Sequence, residues 1–173
     1  MSILIAFFSM KGETMDLNMN VINLEKGYTA AAAEFIQEAV GGDLFEIERL
    51  EPYPKTHEKI TEEAKNEQEN DIHPEIKKYP ENIDKYDTIF LCYPNWWGIL
   101  PMPVVTFLEH FEWKGKTIIP FNTSDGSGAG GTRQQICHLC IGADVKKVFE
   151  TRGYEVNQNK DKIRHWAVSQ MLE

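Results

Sequence analysis

Three stretches of this chain are apolar at consecutive positions, and each ends abruptly in a polar loop. Ile3-Leu4-Ile5-Ala6-Phe7-Phe8 stops at Ser9-Met10-Lys11-Gly12, and Thr88-Ile89-Phe90-Leu91-Cys92-Tyr93 stops at Pro94-Asn95-Trp96-Trp97-Gly98. Lys116-Thr117-Ile118-Ile119-Pro120-Phe121 runs into Asn122-Thr123-Ser124-Asp125-Gly126-Ser127-Gly128. A strand with one solvated face alternates apolar and polar residues, so unbroken runs point to strands covered on both faces, as in a parallel sheet between helix layers. Such sheets bind ligands at the carboxyl ends of their strands, where the strand order reverses. The pattern predicts one site built from all three loops.

The segments between these runs supply the helices that a parallel sheet requires. Ala32, Phe35, Ile36, Ala39 and Val40 repeat at helical spacing from Thr29 onward, and Gly41-Gly42 stops the helix. Asp43 to Glu48 reads as a short, partly exposed strand. Val104, Phe107, Leu108 and Phe111 mark a helix with Pro103 in its first turn. Ile136, Leu139 and Cys140 mark a short one, Val145 to Phe149 a fifth strand, and Ile163, Trp166, Ala167 and Met171 the last helix. Pro120 cannot donate to a ladder and implies a local irregularity in its strand. The polar stretch from Met10 to Lys26 is read as an inserted loop near the site. Thr56 to Asn70 is charged with few apolar positions, so a helix there is expected to be peripheral and without chemistry.

Alternating strands and helices over 173 residues fit a single domain spanning 1–173, a doubly wound three-layer α/β/α sandwich. A net charge of −9 and a pI near 5.1 argue against nucleic acid as a partner, since phosphate neutralisation needs a basic face. No apolar run approaches the length of a membrane span, and the opening residues lack a basic leader. A cytoplasmic location is the expectation. Cys92, Cys137 and Cys140 are too few for a disulfide scaffold and sit in apolar settings.

Trp96 and Trp97 leave a buried strand side by side, so their rings point apart and one is free to stack on a planar ligand. The glycine loop at 124–128 has neither a Walker lysine nor a dinucleotide fingerprint. An anion is better placed near Ser9, Lys11 and the start of the first helix at Thr29-Ala30, where unpaired N–H groups and the helix dipole favour it. Cys137-x-x-Cys140 lies late in its helix and reads as packing rather than as a metal or redox pair. His110, His138 and His165 are scattered and Ser124 has no nucleophile elbow, so no hydrolase triad is indicated.

Taken together, the Ser9 loop, Pro94-Asn95-Trp96-Trp97-Gly98 and Thr123-Ser124-Asp125-Gly126-Ser127-Gly128 make the chain resemble a flavodoxin-like FMN protein of the short-chain type along nearly its whole length. The resemblance implies a five-stranded parallel sheet in the order 2-1-3-4-5. It also implies FMN as cofactor, with Ser9, Lys11, Thr29 and Ala30 holding the phosphate. Pro94, Asn95, Trp96, Trp97 and Gly98 would meet the flavin ring, and Thr123, Ser124, Asp125, Gly126, Ser127 and Gly128 the ribityl and pyrimidine oxygens. The phosphate loop departs from the family pattern, because the inserted stretch separates Ser9 from Gly27-Tyr28-Thr29. The implied activity is electron transfer with basic redox partner proteins, by a monomer or homodimer. An NAD(P)H-dependent reductase of quinones or other small acceptors, and a flavin-free binding module on the same scaffold, stay open as alternatives.

Overall fold

The computed structural model describes all 173 residues and places the three apolar runs at adjacent positions in one parallel sheet. β1 (Ile3–Phe7) lies between β4 (Asp43–Glu46) and β5 (Thr88–Pro94), and β5 pairs in turn with β6 (Thr117–Ser124). Every pairing in this sheet is parallel. The order β4-β1-β5-β6, with a last position beyond β6, is the expected 2-1-3-4-5.

Side chains alternate cleanly between two cores. Leu4, Ala6, Ile89, Leu91, Tyr93 and Ile118 face the layer of α3 (Met102–Glu109) and α4 (Thr132–Leu139). Ile5, Phe7, Phe90, Cys92, Ile119 and Phe121 face α1 (Tyr28–Val40) and α5 (Lys160–Gln170). Full coverage on both sides is why these strands are apolar at every position. α2 (His57–Glu69) packs beside α3, and no helix is long and apolar enough to cross a membrane.

The fifth position is where Pro120 acts. It is filled by two short pieces, β7 (Asp144–Val145) and β8 (Phe149–Arg152), rather than by one strand over 145–149. The Ile118 carbonyl accepts from Lys146 N–H at 2.9 Å, so the backbone groups of Ile118, Pro120 and Asn122 all face this side of β6. Pro120 has no N–H to offer there, and the ladder lapses between the Ile118–Val145 and Phe121–Phe149 pairs. On the β5 side Pro120 pairs with Leu91 without interruption.

The stretch from Met10 to Lys26 is more ordered than a loop. β2 (Gly12–Met15) and β3 (Val21–Leu24) form a separate antiparallel ribbon. The Asp16 carboxylate closes its turn by accepting from the N–H groups of Asn18 and Asn20 at 2.8 and 2.9 Å, which holds the acid below its usual range.

Candidate functional site

The site begins where β1 meets α1. Gly27 precedes the helix and provides no side-chain cap. Ser9 takes that role from across the loop, its Oγ accepting from Ala30 N–H at 3.0 Å. A Cβ on Gly27 would sit 2.1 Å from Ser9 Oγ, so only glycine allows this approach. Ala31 N–H bonds the Gly27 carbonyl, which leaves the N–H groups of Tyr28 and Thr29 for an anion at the positive end of the helix. Thr29 Oγ1 is fixed by Thr123 Oγ1 at 2.8 Å, which ties this end to the tip of β6.

The second and third loops are locked together by Asn95. Its Nδ2 donates to the Gly128 carbonyl at 2.6 Å and to Ser127 Oγ at 3.2 Å, while Oδ1 accepts from Gly98 N–H at 2.9 Å. Gly131 N–H closes the contact on the Gly98 carbonyl at 2.9 Å. Within the glycine loop, Ser124 Oγ accepts from the N–H groups of Gly126 and Gly128, so this serine shapes the loop.

The two tryptophans divide as the sequence predicts. Trp96 packs edge-on against Phe8 and Tyr53, at centroid separations of 5.4 and 5.7 Å. Trp97 is 53% exposed and adopts a left-handed backbone with φ of 53°. That conformation costs a non-glycine residue roughly 1–2 kcal/mol, and it is imposed by the loop contacts on either side. Beside it, a Cβ on Gly98 would meet nothing within 4 Å.

A further wall completes it, made of the ribbon, expected near the site, and of α2, expected to take no part. Glu13, Thr14 and Met15 of the ribbon and His57, Ile60 and Thr61 of α2 line the same cleft. Glu13 Oε2 accepts from His57 N–H at 3.0 Å, joining ribbon to helix. Far from being idle, α2 also supports the tryptophan loop, since Gln68 Nε2 donates to the carbonyls of Trp96 and Leu100. The signal was faint: Ile60 and Ala64 form only a two-residue apolar stripe, and the buried third member of that face is the charged Glu67.

The resulting cleft of about 640 Å³ is of ordinary cofactor size. It gathers Ser9, Thr29, Pro94, Asn95, Trp96, Trp97, Gly98, Thr123, Ser124, Asp125 and Ser127. The other predicted site residues lie outside its lining. Ala30 lends only its N–H to Ser9, and Gly126 and Gly128 act through the loop turn. Lys11 is exposed, and its charge acts on Glu46 at the end of β4. The chain turns after Phe8 so that Ser9 faces α1 and Lys11 faces outward. No lysine or arginine lines the cleft. Tyr28 also lines it, its phenol pKa raised by burial and then by Asp16 and Asp125.

The cysteine pair is only half buried. Cys140 is enclosed, its thiol pushed up to about 12 by burial, whereas Cys137 is exposed. The helix C-terminus turns one inward and leaves the other in solvent.

The flavodoxin family model matches residues 21–170. A candidate flavoprotein structure from Bacteroides eggerthii DSM 20697 is 31% identical with a TM-score of 0.68, the match covering 94% of this chain and 97% of that one. A flavoprotein in complex with FMN from Lactobacillus acidophilus NCFM is 21% identical, with a TM-score of 0.63 and coverage of 91% and 97%. The oxidised Flavodoxin 2 from Bacillus cereus is 19% identical, with a TM-score of 0.55 and coverage of 97% and 96%. These last two share the fold. No protein of curated function matches the chain. With one match spanning most of the sequence and another at 31% identity along nearly its full length, the chain belongs to the flavodoxin family.

Proposed function

We propose that the cleft holds FMN and that the protein exchanges electrons with protein partners. The observation that carries this reading is Trp97, a large indole held half-exposed and left-handed at the cleft, beside a glycine whose surroundings are open. A planar aromatic ligand covers that face, and offset stacking adds about 0.5–1.5 kcal/mol beyond area burial.

The donor set fits one phosphate. Two helices start at the cleft, and the first turn of α2 already receives the Glu13 carboxylate and the Thr56 hydroxyl. The start of α1 offers the Tyr28 and Thr29 N–H groups, with the hydroxyls of Ser9 and Thr29 nearby. One free anion site suits FMN rather than a dinucleotide, and it works through N–H groups and the helix dipole without a basic side chain.

Bound there, FMN supplies the redox chemistry. The chain's residues place the ring against Trp97, hold the phosphate at α1 and exclude water with the ribbon. Glu13 and Asp125 line the cleft and oppose added negative charge within it, which favours a low reduction potential. The net charge of −9 suits a partner with a basic face in the cytoplasm.

A specific observation supports a second reading. The ribbon and α2 wall the cleft beyond the cofactor loops, with His57 and Thr61 as polar groups on an otherwise partly apolar surface. This is where an NAD(P)H-dependent oxidoreductase would seat nicotinamide or a small acceptor. Anaerobic mixing of the FMN-loaded protein with NADPH separates the two. Very slow bleaching of the flavin absorbance supports the carrier, and rapid bleaching overturns it in favour of the reductase.

A further inference from the structure

Next to the cleft lies a largely buried group of side chains that flavin binding does not require. The Tyr53 hydroxyl donates a hydrogen bond to Glu67 Oε2, and Glu67 Oε1 is held by Arg49 Nη1 at 2.6 Å. The side chains of Arg49 and Glu67 are 8% and 4% exposed. Arg49 also pairs with Glu63 at 2.9 Å and lies 3.8 Å above the Tyr53 ring.

This group is connected to the cleft by aromatic rings. Trp97 and Trp96 both line the cleft, and their centroids are 6.5 Å apart. Trp96 is 5.7 Å from Tyr53. Both separations fall within the range of aromatic pairs in contact. The series thus leads from an exposed indole, through a packed one, to a phenol with a built-in proton acceptor.

The chemistry at the end of the series is specific. A tyrosine that loses an electron becomes a strong acid, and in a low-dielectric interior it cannot keep the resulting positive charge. Here the Arg49 cation above the ring opposes that charge further, so Tyr53 gives up an electron only together with its proton. Glu67 stands ready to take it. Burial and the Glu67 carboxylate hold the phenol pKa far above its usual value, so Tyr53 remains protonated until it is oxidised.

We propose that Trp97, Trp96 and Tyr53 form a one-electron path that carries an oxidising equivalent from the cleft to Tyr53, with Glu67 as the proton acceptor. The inference rests on the flavin reading, and its oxidant is the bound flavin excited by blue light. One electron leaves Trp97 for the flavin, Trp96 refills Trp97, and Tyr53 refills Trp96. The Tyr53 O–H bond breaks, its proton forms a new O–H bond on Glu67 Oε2, and a neutral tyrosyl radical remains. Arg49 keeps an ionised partner throughout, because Glu63 still faces it. Return of the electron and proton restores the starting state, so nothing is consumed.

The test uses the full chain loaded with FMN, with loading measured by titration before any flash. Transient absorption after a blue flash should show a tryptophanyl signal decaying into a tyrosyl signal. Tyr53→Phe should leave the tryptophanyl signal alone, with faster return. Glu67→Gln keeps the phenol but should lower the tyrosyl yield several-fold, and heavy water should slow its formation in the native protein. Tyr53→Phe keeps the ring packing, so it serves as the folded control should Glu67→Gln prove unstable. FMN bound with no tyrosyl signal, or a tyrosyl signal that survives Tyr53→Phe, overturns this proposal alone. Failure to bind FMN overturns both it and the flavin reading.

Discussion

Replacing Asn95 with alanine removes three hydrogen bonds at once, two donated to the glycine loop and one accepted from Gly98 N–H. Each such bond contributes a net ~0.5–1.5 kcal/mol, and Asn95 is only partly buried, so water replaces some of what is lost. The cost is therefore about 1.5–3 kcal/mol. Both loops remain attached to their strands, so most of that loss appears as extra freedom of the cleft rather than as unfolding. It corresponds to an FMN dissociation constant raised about 10- to 100-fold. Asn95→Asp retains the acceptor for Gly98 N–H but turns a carboxylate oxygen on the Gly128 carbonyl, and should weaken binding at least as much as alanine. Titration by quenching of flavin fluorescence, with a melting curve on each variant, gives the comparison. An Asn95→Ala protein that binds FMN within about twofold of the native protein would refute the idea that this side chain sets the geometry of the site.

Further outcomes follow from other features. Gly130→Ala should lower both melting temperature and FMN affinity, because its Cβ would lie 2.7 Å from the Gly98 carbonyl oxygen at a positive φ; Gly12→Ala, also at a positive φ but in open space, should show backbone strain alone and leave FMN affinity unchanged. His73 is bonded to Asp71 and Glu109, and the first of these bonds leads in raising its pKa above the ordinary histidine value. Its contribution to stability should therefore be full below that ordinary value and lost as pH rises through the raised one, a dependence that denaturant melts of His73→Gln should lack. A colorimetric thiol reagent should label Cys137 quickly in the native protein, with Cys92 and Cys140 reacting only after denaturation. Amide exchange in the ribbon, residues 12–24, should slow when FMN is added, and equal protection in both states would make the ribbon a structural appendage.

The strands that carry the site were readable because coverage on both faces leaves a plain trace, consecutive apolar residues ending in a polar loop. The division of labour between Trp96 and Trp97 was readable for the same geometric reason, since neighbours on an extended chain point apart. What escaped depended on partners distant in sequence. Glu67 occupies a core-facing position on α2 only because Arg49 and Tyr53 satisfy it, so the helix looked too polar to matter. Lys11 looked like an anion ligand from its place after β1, but the sense of the turn after Phe8 decides where it points. The break in the fifth strand was encoded in its neighbour, where Pro120 withholds an N–H. The ribbon was hidden by its brevity, with strands of four residues each.

What the cleft binds decides the function of this chain. Protein purified without added flavin, then freed of bound small molecules, should be titrated with FMN, FAD and riboflavin while the fluorescence of flavin and tryptophan is followed. The structure predicts saturation by FMN at one per chain, with strong quenching of the flavin by Trp97, much weaker binding of riboflavin for want of the phosphate at α1, and no preference for FAD. Riboflavin binding as tightly as FMN, or no flavin binding at all, would contradict it.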